Sequence, residues 1–159
     1  MAHFAELESK TDPTGFTSDT HLVVKRVVVV GNDCVPSDMH ADGETWCSNF
    51  FKGGSWKQTS YNNNFRKQYA GKGYVYNSSK NKFLSPQPFK SWSLDSSDDW
   101  KAPITYPSTT SGSGFFYKIS WNDTKYQADN TKGWEATKSN ATSETPTKYN
   151  WNGSAWVSE

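Results

Sequence analysis

The stretch His21–Asp33, "HLVVKRVVVVGND", decides how the rest of the chain is read. Val23, Val24, Val27, Val28, Val29 and Val30 are β-branched and stiff at χ1, so the run is a strand, stopped by Gly31-Asn32-Asp33. A run apolar on both faces predicts a central strand covered on both sides. Lys25 and Arg26 interrupt it and mark the expected point of emergence into solvent.

On the N-terminal side, "AHFAEL" reads as a first short strand, followed by a loop, "SKTDPTGFTSDT", marked by Asp12-Pro13 and Gly15. On the C-terminal side, "SDMHADGETWCSNFFKGG" reads as the one helix. Trp46, Cys47, Phe50 and Phe51 fall at i, i+1, i+4 and i+5 and form one apolar stripe; Glu44 lies near the start, and Gly53-Gly54 stops the helix. It is expected to lie on the valine-rich sheet. "SWKQTSY" alternates as a strand, Asn62–Asn64 supply a turn, and "FRKQYAGKGYVYN" is expected to return as a strand with a bulge or bend at Ala70–Gly73. After the turn "SSKNK", Pro86 and Pro88 keep "FLSPQPFKSW" extended and out of any central strand.

The remainder is organised by aromatic pairs across polar turns: Trp92 and Trp100, Trp121 and Tyr126 across "NDTK", and Trp151 and Trp156 across "NGSA". Asn152-Gly153 is a strong hairpin signal, and cross-strand aromatic pairs add about 0.2–1 kcal/mol each. "STTSGSG" and "SNATSETPT" read as connectors. The expected fold is therefore mainly β with one short helix: an α+β body with an antiparallel sheet over residues 1–107, then a tail of aromatic β-hairpins over 108–159.

Composition agrees with that reading. The 159 residues are only 33% hydrophobic but 16% aromatic, with eight tryptophans. Large rings on short strands can build a core from few residues, each burying about 150–250 Å². The formal net charge is +1 and no block of like charge exceeds a few residues, which argues against nucleic-acid or membrane-surface binding driven by net charge. "MAHFAELESK" lacks the charged and apolar regions of a signal peptide, so synthesis in a cytoplasm without export by that route is expected.

Catalytic signatures are sparse. Gly71-Lys72-Gly73 lacks the spacing and the following Ser/Thr of a phosphate-binding loop, and no GxGxxG or GxSxG pattern occurs. His3, His21 and His40 sit in no recognisable catalytic setting, and Asp98-Asp99 reads as a solvated turn rather than a carboxylate pair held across a cleft. Cys34, Asp38, His40, Asp42 and Cys47 match no zinc template, and Cys47 lies on the apolar face of the helix. No enzyme activity, metal or cofactor is expected.

Two residue sets are candidates for contact. Trp121, Tyr126, Trp134, Trp151 and Trp156 are candidates for a partner interface or for stacking on a glycan, against the alternative that they pack across their own hairpins. Asn63, Arg66, Lys67, Lys72 and Tyr74 are candidates for a loop contact. A nucleic-acid use of that loop, with cations on phosphates and tyrosines under bases, has nothing beyond the patch to support it.

"MAHFAEL", "RVVVVGNDC", "CSNFFKGGSWKQTSYNNNFRKQYAGKGYVY", "FLSPQPFKSW" and "WKAPITYP" together resemble a group of small proteins of marine tailed phages, notably phages of cyanobacteria. The resemblance covers about residues 1–107 and 149–159. It departs in the longer "SKTDPTGFTSDTHL" and in an apparent insertion from about Ser111 to Pro146. That group is regarded as virion-associated or of unknown role, and the resemblance implies no catalytic residues. The leading expectation is a non-enzymatic capsid decoration protein, made in the host cytoplasm, that stabilises the shell through aromatic-rich contacts with the major capsid protein. The alternatives are a receptor- or glycan-binding module of a tail fibre or appendage, and a tail or baseplate structural protein. A second copy of the chain and a host surface glycan stand as further partners.

Overall fold

The computed structural model describes residues 1–35 and 40–159, which fall into two compact units, Met1–Pro86 and Gln87–Glu159. The expected boundary near residue 107 thus lies inside the second unit. Phe89, Trp92, Ala102 and Ile104 pack against Trp121, Trp134 and Trp151, which binds that segment to the hairpins rather than to the body.

The first unit is a five-stranded antiparallel sheet with one α-helix. In chain order it comprises β1 (Ala2–Thr11), β2 (Thr20–Val30), α1 (Ala41–Phe50), β3 (Ser55–Thr59), β4 (Val75–Asn77) and β5 (Lys82–Leu84). Across the sheet the order is β3-β1-β2-β4-β5, so the valine strand is central, as the sequence predicts.

A bulge explains why that strand reads as apolar on both faces. Glu6 pairs with Arg26 but Leu7 pairs with Val24, so Lys25 is one residue too many. The extra residue resets the alternation, which would otherwise set Val24 and Val27 on opposite faces. Both instead join Ala5, Leu7, Ala70, Tyr76 and Phe83 in one core. Lys25 and Arg26, now consecutive at the bulge, both reach the Glu6 carboxylate, at 3.3 and 2.5 Å. Coverage is incomplete, however: Val29 is 54% exposed, contrary to a strand buried on both sides throughout.

On the opposite face Phe4, Val30, Val35, Cys47 and Trp56 form a second core. Here the helical stripe divides. Cys47, Phe51 and Trp46 pack into this core, while Phe50 stacks on Trp46 and is largely exposed. Ser37, Asp38 and Met39, the expected lead-in to the helix, lie outside the described residues.

The expected return strand over residues 65–77 is formed only at Val75–Asn77. Arg66 and Lys67 have φ of 53° and 71°, which no strand tolerates. The segment is instead pinned over the core, with the Ala70 amide donating to Thr59 Oγ1 at 2.8 Å and the Phe83 amide to the Arg66 carbonyl at 3.0 Å.

The second unit comprises β6 (Ser93–Leu94), β7 (Trp100–Lys101), β8 (Ser111–Gly112), β9 (Phe115–Trp121), α2 (Asp123–Ala128), β10 (Trp134–Lys138), β11 (Tyr149–Trp151) and β12 (Trp156–Ser158). A five-stranded sheet runs β12-β11-β10-β9-β8, and β6 and β7 pair separately. The tail hairpin forms in the expected register, with Trp151 opposite Trp156. The expected hairpin across "NDTK" does not. Asn122 instead caps α2, its side chain accepting from the Lys125 amide at 3.0 Å, and Trp121 pairs with Trp134 rather than Tyr126.

Gly43 offers a direct check on the packing of α1. A β-carbon there would stand 2.1 Å from Phe4 Cζ, and Phe4 is completely buried. Alanine gains about 1 kcal/mol of helix propensity over glycine, whereas overpacking costs about 1–3 kcal/mol or more. Gly43→Ala is therefore expected to lower stability, seen as a lower urea midpoint at unchanged m-value.

Candidate functional site

The loop that carries Arg66 is held from inside the protein. Glu44, on α1, accepts the Gln58 amide at 2.9 Å and Arg66 Nη1 at 2.7 Å on Oε1, and Lys57 Nζ at 3.1 Å on Oε2. Arg66 also donates to the Gln58 carbonyl at 2.8 Å and, through Nε, to Asn81 Oδ1 at 2.8 Å. Tyr76 donates its hydroxyl to the same Asn81 oxygen, and the guanidinium lies 5.8 Å from the Tyr76 ring centre. The Arg66 side chain is 6% exposed. It is a structural cation, and none of its chemistry faces a ligand. Tyr74 packs on the core and Asn63 accepts the Tyr69 amide, while Lys67 is half-buried and Lys72 exposed. The five candidate loop residues do not converge on one contact surface.

The second candidate set is mostly interior as well. Trp121, Trp134 and Trp151 are 7%, 7% and 4% exposed, and Tyr126 and Trp156 pack against them. Trp121 and Trp134 meet edge-to-face at 5.0 Å and 74°. Their indole N–H groups are occupied: Trp121 donates to Asp123, Trp134 to the Ile104 carbonyl and Trp156 to the Thr109 carbonyl. Rings so placed build a core, and no coplanar stacking platform is made from them.

An aromatic surface that the sequence reading did not single out lies on the first unit. Trp56, buried, stacks on half-buried Phe51 at 4.9 Å. Phe51 meets Phe50 edge-on at 4.9 Å, and Phe50 stacks on Trp46 at 4.8 Å. The row thus runs from the core out to Phe50, which is 63% exposed, and back to half-buried Trp46, which packs on the same core. The Arg26 guanidinium lies 4.7 Å from the Phe51 ring centre and 5.5 Å from that of Trp56, and Glu6 holds it there. Burial pushes the Glu6 carboxyl up, but Arg26 and Lys25 outweigh it and hold the pKa below its ordinary value. The i, i+4 spacing of Trp46 and Phe50 was legible as one stripe. That the stripe is wider than the face the sheet covers was not.

Among the described residues no group of three or more His, Cys, Asp and Glu side chains could hold a metal, and Asp38 lies outside them. His40 Nδ1 is 3.1 Å from Gln58 Oε1 and its ring meets Phe65. No helix among the described residues is long and apolar enough to cross a membrane. Comparison of the chain with protein-family models, curated proteins and solved structures finds no match.

The ion cluster gives a pH-dependent expectation. Burial raises the Glu44 pKa, but the Gln58 amide, Arg66 and Lys57 together bring it below the ordinary 4.5. A depressed carboxylate stabilises the fold above its unfolded value and loses that contribution as pH falls through the folded value. The stability difference between wild type and Glu44→Gln is therefore expected to be full above pH 4.5 and to shrink on acidification, measured by urea unfolding across pH. At neutral pH Arg66→Ala is expected to cost about 1.5–3 kcal/mol, because the Glu44 carboxylate keeps Lys57 and the Gln58 amide but loses its charged hydrogen bond to the guanidinium.

The two cysteines separate by chemistry. Burial, with Glu44 nearby, pushes the Cys47 thiol up to about 11, whereas Cys34 is exposed. One thiol per folded chain is expected to react with a maleimide, and Cys34→Ser to abolish that labelling.

Proposed function

We propose that this protein is a non-catalytic structural component of a phage virion, a capsid decoration protein that docks on the shell through the aromatic row of its first unit. The observation that carries this proposal is the run Trp56–Phe51–Phe50–Trp46 with Arg26 laid across it. Tryptophan, phenylalanine and arginine are enriched in the cores of protein interfaces. A ring anchored on a rigid core also loses little conformational entropy when a partner covers it. The Glu6 carboxylate pre-orients Arg26, so the cation is positioned before docking. The resemblance of the quoted motifs to small marine-phage proteins supports a virion role, and the major capsid protein is the partner proposed.

The test is the copy number of the chain in purified particles, by quantitative mass spectrometry against the major capsid protein. Copies in fixed, comparable proportion to that protein are expected. A handful per particle would move the chain to the neck, tail or fibres, and absence would overturn a virion role. Phe50→Ser is expected to weaken binding to particles lacking the protein by about 30-fold, the loss typical of a hot-spot residue, with thermal unfolding unchanged.

A further inference from the structure

We propose that the second unit carries a binding site for a neutral saccharide, in a cleft of about 420 Å³ walled by Trp92, Trp100, Tyr106 and Trp134. The site is independent of where the protein is located. Its volume falls in the range of small-ligand pockets, about 300–1,000 Å³.

Three features point to a sugar. Tyr106 is 55% exposed although its ring meets Trp134 at 4.9 Å and 78°. A large, largely exposed ring thus lines the cleft, and stacking under the C–H face of a pyranose would cover it. The rings meet at steep angles, Trp92 crossing Trp134 at 63°. A proline-rich peptide is seated by successive parallel ridges, whereas a corner of crossed planes suits one compact ring. Charge on the wall is compensated: Lys101 lies 3.5 Å from Asp95, and the neighbouring rim residue Thr105 offers a hydroxyl, so the ligand is neutral and rich in hydroxyls.

A smaller cleft of about 250 Å³, lined by Tyr106, Ser108 and Trp151, shares the Ile104–Tyr106 segment with the first. It provides room for a second sugar unit beside the first.

The experiment is an NMR titration of the full ¹⁵N-labelled chain, following the indole N–H signals. The probes are trimers of glucose, galactose, mannose and N-acetylglucosamine, with a polyproline peptide as comparison. At least one neutral trimer is expected to move the Trp92, Trp100 and Trp134 signals while those of Trp46 and Trp56 stay in place. Tyr106→Ala is expected to weaken that trimer about tenfold and Tyr106→Phe to leave it unchanged, since stacking needs the ring and not the hydroxyl. If Tyr106→Ala fails to fold, saturation transfer from the Tyr106 ring to the sugar in the wild-type protein decides the same point. The proposal is overturned if no trimer moves these signals, if the shifts persist unchanged in folded Tyr106→Ala, or if only the polyproline peptide produces them.

Discussion

The first unit depends on the pairing of Glu44 with Arg66. β3 is an edge strand, and the outward N–H and C=O of Gln58 would otherwise be open to another chain. The carboxylate takes that N–H and the guanidinium takes that C=O, so an ion pair stands where a further strand would. The same two side chains connect α1, β3, the loop from Asn62 and, through Asn81, the β4–β5 turn. The price is a backbone at positive φ through Arg66 and Lys67. Four hydrogen bonds made by Glu44 and Arg66 hold that conformation where local preference opposes it.

The second unit uses a related device with reversed sign. Lys125, on α2, reaches Glu135, Asn150 and Glu159, and so ties the helix to β10, β11 and the C-terminus. Burial lowers the Lys125 pKa, but Glu159 and Glu135 outweigh it and raise it above its ordinary value, keeping the cation charged. The cores differ more than the ion clusters do. Ala5, Leu7 and Val24 with Tyr76 and Phe83 fill one side of the first sheet, whereas Trp121, Trp134 and Trp151 fill the second core, the first two edge-to-face. Short strands expose few inward positions, so each must carry a large ring.

These cores leave aromatic surface of two kinds. On the first unit it is continuous with the core and most exposed at Phe50; on the second it lines a cleft beside Tyr106. An exposed ring anchored on a rigid base suits a macromolecular partner whose surface can close over it. A corner of crossed rings suits a small ligand that brings its own hydroxyls. The two surfaces belong to different units, so the proposed docking and the proposed sugar binding draw on different residues.

The antiparallel β-rich fold, the central valine strand, the helix after it and the Trp151–Trp156 hairpin were legible in the sequence, because each rests on local signals: β-branching, an apolar stripe, Asn-Gly. Asn122 as a helix cap was also there to be read, masked by the aromatic residues that flank it. What only the tertiary structure decided was how side chains are used. The bulge at Lys25 sets which valines share a face, Glu44 draws Arg66 inward and prevents a strand at 65–74, and the Trp121–Trp134 pairing places candidate surface rings in a core. Each outcome depends on a partner distant in sequence, and a pattern read along the chain carries no information about which partner arrives.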